Sequence, residues 1–97
     1  MSEELFNFEL VTPEKIIFSN SVISVSIAGV EGDMTIFANH SPIATAIRPG
    51  YIDINLSGKS ERYFLTGGFV QITDSDVVVL AEIASLENEV NLEMIDK

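Results

Sequence analysis

Apolar and polar residues alternate with a period of two along most of the first 81 positions, and clusters of Gly, Pro, Ser, Asn and Asp interrupt them at short intervals. In Leu5–Val11, Phe6, Phe8 and Leu10 share one face while Asn7 and Glu9 share the other. Thr12-Pro13-Glu14 reads as a turn, because proline fixes φ and cannot donate to a ladder. Lys15–Phe18 is a short strand ended by Ser19-Asn20. Val22–Ala28 is expected to point Ile23, Val25 and Ile27 inward and Ser24 and Ser26 outward. Tyr51–Leu56 places Ile52, Ile54 and Leu56 on one face, and Ser57-Gly58-Lys59 turns it into Arg62–Thr66. Gly67-Gly68 marks a bulge or a close backbone approach before Phe69–Ile72. Thr73-Asp74-Ser75-Asp76 then turns into Val77–Ala81, which has no polar face and is expected to be buried on both sides. Eight to ten short strands at this spacing predict a β-sandwich or flattened barrel, two packed antiparallel sheets.

The stretch Glu31–Gly50 organises the rest. It holds two polar turns, Glu31-Gly32-Asp33 and Ala38-Asn39-His40-Ser41-Pro42, at the two ends of the apolar run Met34–Phe37. At about 3.3 Å per residue the turns lie roughly 13–20 Å apart. With the second apolar run, Ile43–Ile47, stopped by Arg48-Pro49-Gly50, the segment reads as a hairpin presenting two recognition loops. After Ala81 the period changes: Ile83, Leu86, Val90 and Met94 recur at helical spacing in Glu82–Lys97, and Asn88 or Asn91 could cap a short helix. Such a helix is marginal unless it docks.

Ninety-seven residues make one domain, with 46% hydrophobic and 21% charged residues, a globular balance. No apolar run approaches the ~20 residues that span a bilayer. Met1-Ser2-Glu3-Glu4 lacks the basic and apolar segments of a leader, and with no cysteine the expectation is a bacterial-type cytoplasm. The net charge of −10, with only Lys15, Arg48, Lys59, Arg62 and Lys97 as cations, excludes a phosphate-neutralising stripe and hence a nucleic-acid partner. Anionic membrane surfaces would repel the chain, whereas a basic protein partner suits it.

Chemistry is sparse. His40 is the sole histidine, and its turn setting fits a hydrogen-bonded loop histidine or an interface contact better than a general base. One histidine without cysteine supplies too few ligands for zinc, so no metal and no cofactor are expected. Glu31 and Asp33 lie in a glycine-containing turn that would not shift a carboxylate usefully. Asp74-Ser75-Asp76 lacks the spaced oxygens and terminal Glu of a calcium loop. Gly67-Gly68 has neither the Lys nor the helix start of a phosphate loop. No catalytic residue and no small-molecule substrate are assigned.

Several pieces together carry a resemblance. Glu31-Gly32-Asp33, Ile36-Phe37, His40-Ser41-Pro42, Thr45-Ala46-Ile47 and Arg48-Pro49-Gly50 resemble the epsilon subunit of F-type ATP synthase. So do Phe64-Leu65-Thr66-Gly67-Gly68-Phe69-Val70, Val78-Val79-Leu80-Ala81, and Phe8-Glu9-Leu10-Val11-Thr12-Pro13-Glu14 with Phe18-Ser19 after it. The match spans residues 8 to 84. It implies a ten-stranded sandwich of two five-stranded, mainly antiparallel sheets with a short helical or frayed tail. It also implies a non-catalytic central-stalk subunit that binds the gamma subunit and the c-ring, coupling proton-driven rotation to ATP synthesis. The site would be a peripheral one on the cytoplasmic side of a bacterial inner membrane, without insertion.

By position, Glu31, Gly32 and Asp33 are the implied c-ring contact, with Asp33 against an Arg of the c subunit. Thr12, His40 and Thr45 are the implied gamma contact. An exposed ion pair contributes only ~0–1 kcal/mol. Resistance to slipping would therefore come from apolar burial over an interface on the order of 2,000 Å². Phe37, Ile43 and Ile47 are candidates for that surface or for the core. The resemblance divides the chain into a sandwich over residues 1–84 and a tail over 85–97. In that tail Glu89–Lys97 covers only the start of the family's inhibitory helical hairpin, so inhibition by that route is not expected. Ala38-Asn39 replaces a common Pro-Gly pair. The rival reading is a free-standing β-sandwich module for a protein or a carbohydrate, with Tyr51 and Tyr63 the available aromatic platforms.

Overall fold

The computed structural model describes residues 4–38 and 41–86. Every element among them is a strand: β1 Phe6–Val11, β2 Ile16–Val22, β3 Ser24–Gly29, β4 Gly32–Phe37, β5 Ile43–Ile47, β6 Gly50–Leu56, β7 Lys59–Leu65, β8 Gly68–Ile72, β9 Asp76–Ala81 and β10 Ala84–Leu86. They form two five-stranded halves, β10-β7-β6-β3-β4 and β5-β8-β9-β1-β2. All pairings are antiparallel except β1 with β9. The halves meet at one corner, where Gly29 of β3 pairs with Ile47 of β5. The sandwich is thus closed along that seam in the manner of a flattened barrel.

The period-2 pattern explains the core. Phe8, Leu10, Val22, Val25, Ile54, Val70, Val77 and Val79 are wholly buried, drawn from both halves. Burying each such side chain stabilises the fold by about 1.5–3 kcal/mol relative to exposure. Phe18 ties the layers together, with its ring 5.9 Å from Phe8 in its own sheet and 6.4 Å from Tyr63 in the other. Gly68 permits the tightest approach, since a Cβ there would lie 2.2 Å from the Leu80 carbonyl oxygen. That bears out the close-approach reading of Gly67-Gly68.

Four expectations are corrected. The Glu31–Gly50 segment is not a hairpin of its two apolar runs: β4 pairs with β3, while β5 crosses to the other sheet and pairs with β8. The tight Gly29-to-Gly32 reversal claims β4 for β3 and leaves the longer connector free to change layers. Ile23 lies between strands and is half-buried, while Ser24 is buried, its hydroxyl satisfied by the Asn55 amide, which donates to it at 2.9 Å. In β9 only Val77, Val79 and Ala81 are buried, and Leu80 is 48% exposed, since among the described residues no second layer packs on the outside of this sheet. The helical spacing from Glu82 fails where Ala84–Leu86 pair with β7 as β10. There Thr66 also donates to the Ile83 carbonyl at 3.3 Å, so edge pairing overrides the local period. The helix expected farther on, with its caps at Asn88 or Asn91, lies outside the described residues.

Candidate functional site

The seam between the sheets positions the first candidate loop. Gly29 and Gly32 are the last pair of the β3–β4 hairpin, with Val30-Glu31 at its tip. Gly32 takes φ +136°, a conformation that side chains rarely adopt. The tip is stitched to β5: Val30 N–H donates to the Ala46 carbonyl at 3.1 Å, and Arg48 N–H to that of Ala28 at 2.9 Å. The Arg48 side chain adds two bonds, Nε to the Gly29 carbonyl at 2.9 Å and Nη2 to Asp33 Oδ1 at 2.5 Å. Glu31 and Asp33 are exposed, the Asp33 side chain at 82%. Asp33 is therefore held by a cation of its own chain, which a reading of its turn alone did not foresee. Fifteen residues separate the two in sequence, and only the crossing of β5 brings them together.

The second candidate set is dispersed. Thr12 closes the β1–β2 turn, exchanging backbone hydrogen bonds with Lys15 and donating its hydroxyl to the Lys15 carbonyl at 3.2 Å. Thr45 is half-buried in β5 opposite Val70, hence on the inward side of that sheet. His40 lies outside the described residues. Of the apolar candidates, Ile47 is 6% exposed and belongs to the core, whereas Phe37 and Ile43 are surface residues.

A feature missed by strand-by-strand reading appears on the outside of the second sheet. Pairing aligns Ala46, Phe69, Leu80, Val11 and Ile16 in one row across all five strands. Phe69, Leu80 and Ile16 are exposed, and Thr12 and Pro13 join Val11, Phe69 and Leu80 in lining a shallow groove of 340 Å³. Away from this row the face turns polar, with Asn7 donating to Asp76 Oδ1 at 3.0 Å. That bond, and Asp76 N–H donating to Thr73 Oγ1 at 3.2 Å, make the Asp74-Ser75-Asp76 segment an ordinary hairpin turn.

The outside of the first sheet is built differently. Ser26 and Thr35 hydroxyls lie 3.1 Å apart, Arg62 Nε donates to Asp53 Oδ1 at 2.6 Å, and the Arg62 guanidinium sits 4.9 Å from the Tyr51 ring centre. Neither tyrosine makes a sugar platform, because Tyr63 is buried and the Tyr51 ring is engaged by Arg62 and by Phe64 edge-on. Among the described residues no three His, Cys, Asp or Glu side chains gather as a metal site.

Comparison with known proteins follows the same outline. Residues 5–87 match the family model for the β-sandwich domain of the ATP synthase delta/epsilon chain. The chain is 48% identical over 82 residues to the ATP synthase epsilon chain of Rhizobium meliloti (strain 1021), covering 84% of this chain and 61% of that one. It is 44% identical over 89 residues to the epsilon chain of Mesorhizobium japonicum, covering 91% and 66%. It thus spans about three fifths of the length of the curated relatives it matches. A chain in the OSCP/F1/c-ring structure of the Euglena gracilis mitochondrial ATP synthase superposes with a TM-score of 0.86 at 22% identity, over 99% of this chain and 62% of that one. One from the central stalk and c-ring of the Tetrahymena thermophila enzyme superposes at 0.76 and 18% identity, over 93% and 72%. At those identities the likeness is one of fold. Family model and curated relatives agree over nearly the whole sandwich, and the chain belongs to the ATP synthase delta/epsilon chain β-sandwich family.

Proposed function

We propose that this chain is the non-catalytic epsilon subunit of an F-type ATP synthase, a part of the central stalk that joins the gamma subunit to the c-ring. The carrying observation is the family match over residues 5–87, with the epsilon chains of Rhizobium meliloti and Mesorhizobium japonicum among its relatives. The protein would work at the cytoplasmic face of a bacterial inner membrane, held there by its partners.

In this reading the Glu31-Gly32-Asp33 corner meets the polar loops of the c-ring, and Thr12, His40 and Thr45 meet gamma. The apolar row through Phe69 and Leu80 supports the gamma reading, because Thr12 borders it and an uncovered apolar surface favours a protein partner. A partner touching both Thr12 and Thr45 must cross that row and wrap the β5 edge. Torque is then resisted chiefly by apolar burial, at about 25 cal/mol per Å², with the charged corner setting orientation.

The test is reconstitution. The chain mixed with purified gamma is expected to form a one-to-one complex on gel filtration, and the pair to join c-rings in detergent. No complex with gamma at tens of micromolar would overturn the assignment.

A further inference from the structure

Resting on that assignment, we propose that Arg48 is the positioning residue of the ring-facing corner, holding Asp33 by one carboxylate oxygen so that the other is presented to a cation on the partner. Three bonds converge on this residue: backbone N–H to Ala28, Nε to the Gly29 carbonyl, and Nη2 to Asp33 Oδ1. Two of the acceptors belong to β3 and the third to β4, so one side chain spans both arms of the hairpin whose tip carries Glu31. The guanidinium suits this task because its planar fork directs several donors at once, which an ammonium cannot.

Asp33 Oδ2 has no protein partner among the described residues, and the side chain is 82% exposed. The corner therefore offers an oriented half of a carboxylate whose charge is partly balanced. A second guanidinium can share such a group without Arg48 letting go. Orientation rather than raw charge becomes the contribution of Asp33. This also separates its role from that of Glu31, which projects from the same tip and makes none of the side-chain hydrogen bonds found among the described residues.

The experiment compares wild type, Arg48→Ala, Arg48→Lys and Asp33→Asn in two readouts. In the isolated chain, amide hydrogen exchange at Val30–Asp33 is expected to speed up roughly three- to tenfold in Arg48→Ala, with the β8 and β9 amides unchanged. In the gamma-bound complex, affinity for detergent-solubilised c-rings is expected to fall by a similar factor of about three to ten in Arg48→Ala, with Arg48→Lys recovering part of it. Adding Arg48→Ala to Asp33→Asn should then cost less than it does alone. Unchanged exchange at the tip would overturn the positioning role. Tighter ring binding by Arg48→Ala would overturn it too, since Arg48 would then be a competitor of the partner's cation. If wild type itself ignores the rings, the assignment behind the second readout fails, and the exchange arm still decides whether Arg48 orders the corner.

Discussion

The outer faces of the two sheets have the same strand count and different surface chemistry. On the first, polar groups answer one another: Ser26 with Thr35, Asp53 with Arg62, and Arg62 with the Tyr51 ring. On the second, a row of apolar side chains runs from Ala46 to Ile16 with no other strand packed over it among the described residues, and Ile16, Phe69 and Leu80 are exposed. Both faces turn the same kind of wall toward the core, so the contrast owes nothing to folding. A face whose polar groups are satisfied within the chain gains little from a partner, while an uncovered apolar face gains from being removed from water. Under the proposed function, the difference would leave fold maintenance to one side and assembly to the other.

The comparison can be broken most severely from within. Gly68→Ala drives a Cβ to 2.2 Å from the Leu80 carbonyl, forcing β8 and β9 apart beneath the apolar face. A loss of about 3 kcal/mol or more is expected, read as a lowered urea midpoint. Next comes the apolar face itself. The pair Phe69→Asp with Leu80→Asp, both roughly half exposed, should leave the melting temperature within a few degrees of wild type. The same pair should weaken gamma binding by about 2 kcal/mol or more, measured by calorimetry. Equal losses in stability and binding would mean that this face is structural after all. Asp33→Lys places two cations at the corner; c-ring attachment should drop by about 1 kcal/mol, with the sandwich intact by circular dichroism. The smallest effect belongs to the polar face. Arg62→Ala removes an exposed pair and a ring contact, for about 0.5–1 kcal/mol of stability and no change in gamma affinity. A binding defect in Arg62→Ala would erase the contrast between the faces.

Much of the sandwich was legible because a strand's two faces are written two residues apart. Phe6, Phe8 and Leu10, or Ile52 and Ile54, need no partner to reveal which side is buried. Turns were equally plain at Thr12–Lys15, Ser57-Gly58 and Thr73–Asp76, where proline, glycine and short hydroxyl or acidic residues impose local geometry. Pairing was another matter. Nothing between Met34 and Ile47 says that β4 stays with β3 while β5 joins β8, because backbone hydrogen bonds are indifferent to which strand supplies them. The misjudged face of β9 has the same origin: Val78 and Leu80 look like core residues until the sheet proves to have no second layer on that side among the described residues.

The candidate site divides along the same line. The Glu31-Gly32-Asp33 segment could be picked out from residue types and a resemblance, and the structure puts Glu31 at a hairpin tip with Gly32 and Asp33 opening β4. Its link to Arg48 could not, since an ion pair across fifteen residues depends on the path of the intervening chain. The apolar row was hidden as well, its members coming singly from five strands.

By itself, then, the order of residues determined most of the strands, the inward faces of β1 and β6, several turns and the family to which the chain belongs. Those properties depend on side-chain size, polarity and backbone freedom over a few neighbours. Tertiary structure alone decided strand partners, the closed seam, the cation that holds Asp33 and the joining of five scattered apolar residues into one surface. Each of these is a meeting of groups far apart in the chain, set by which packing buries the most apolar area at once.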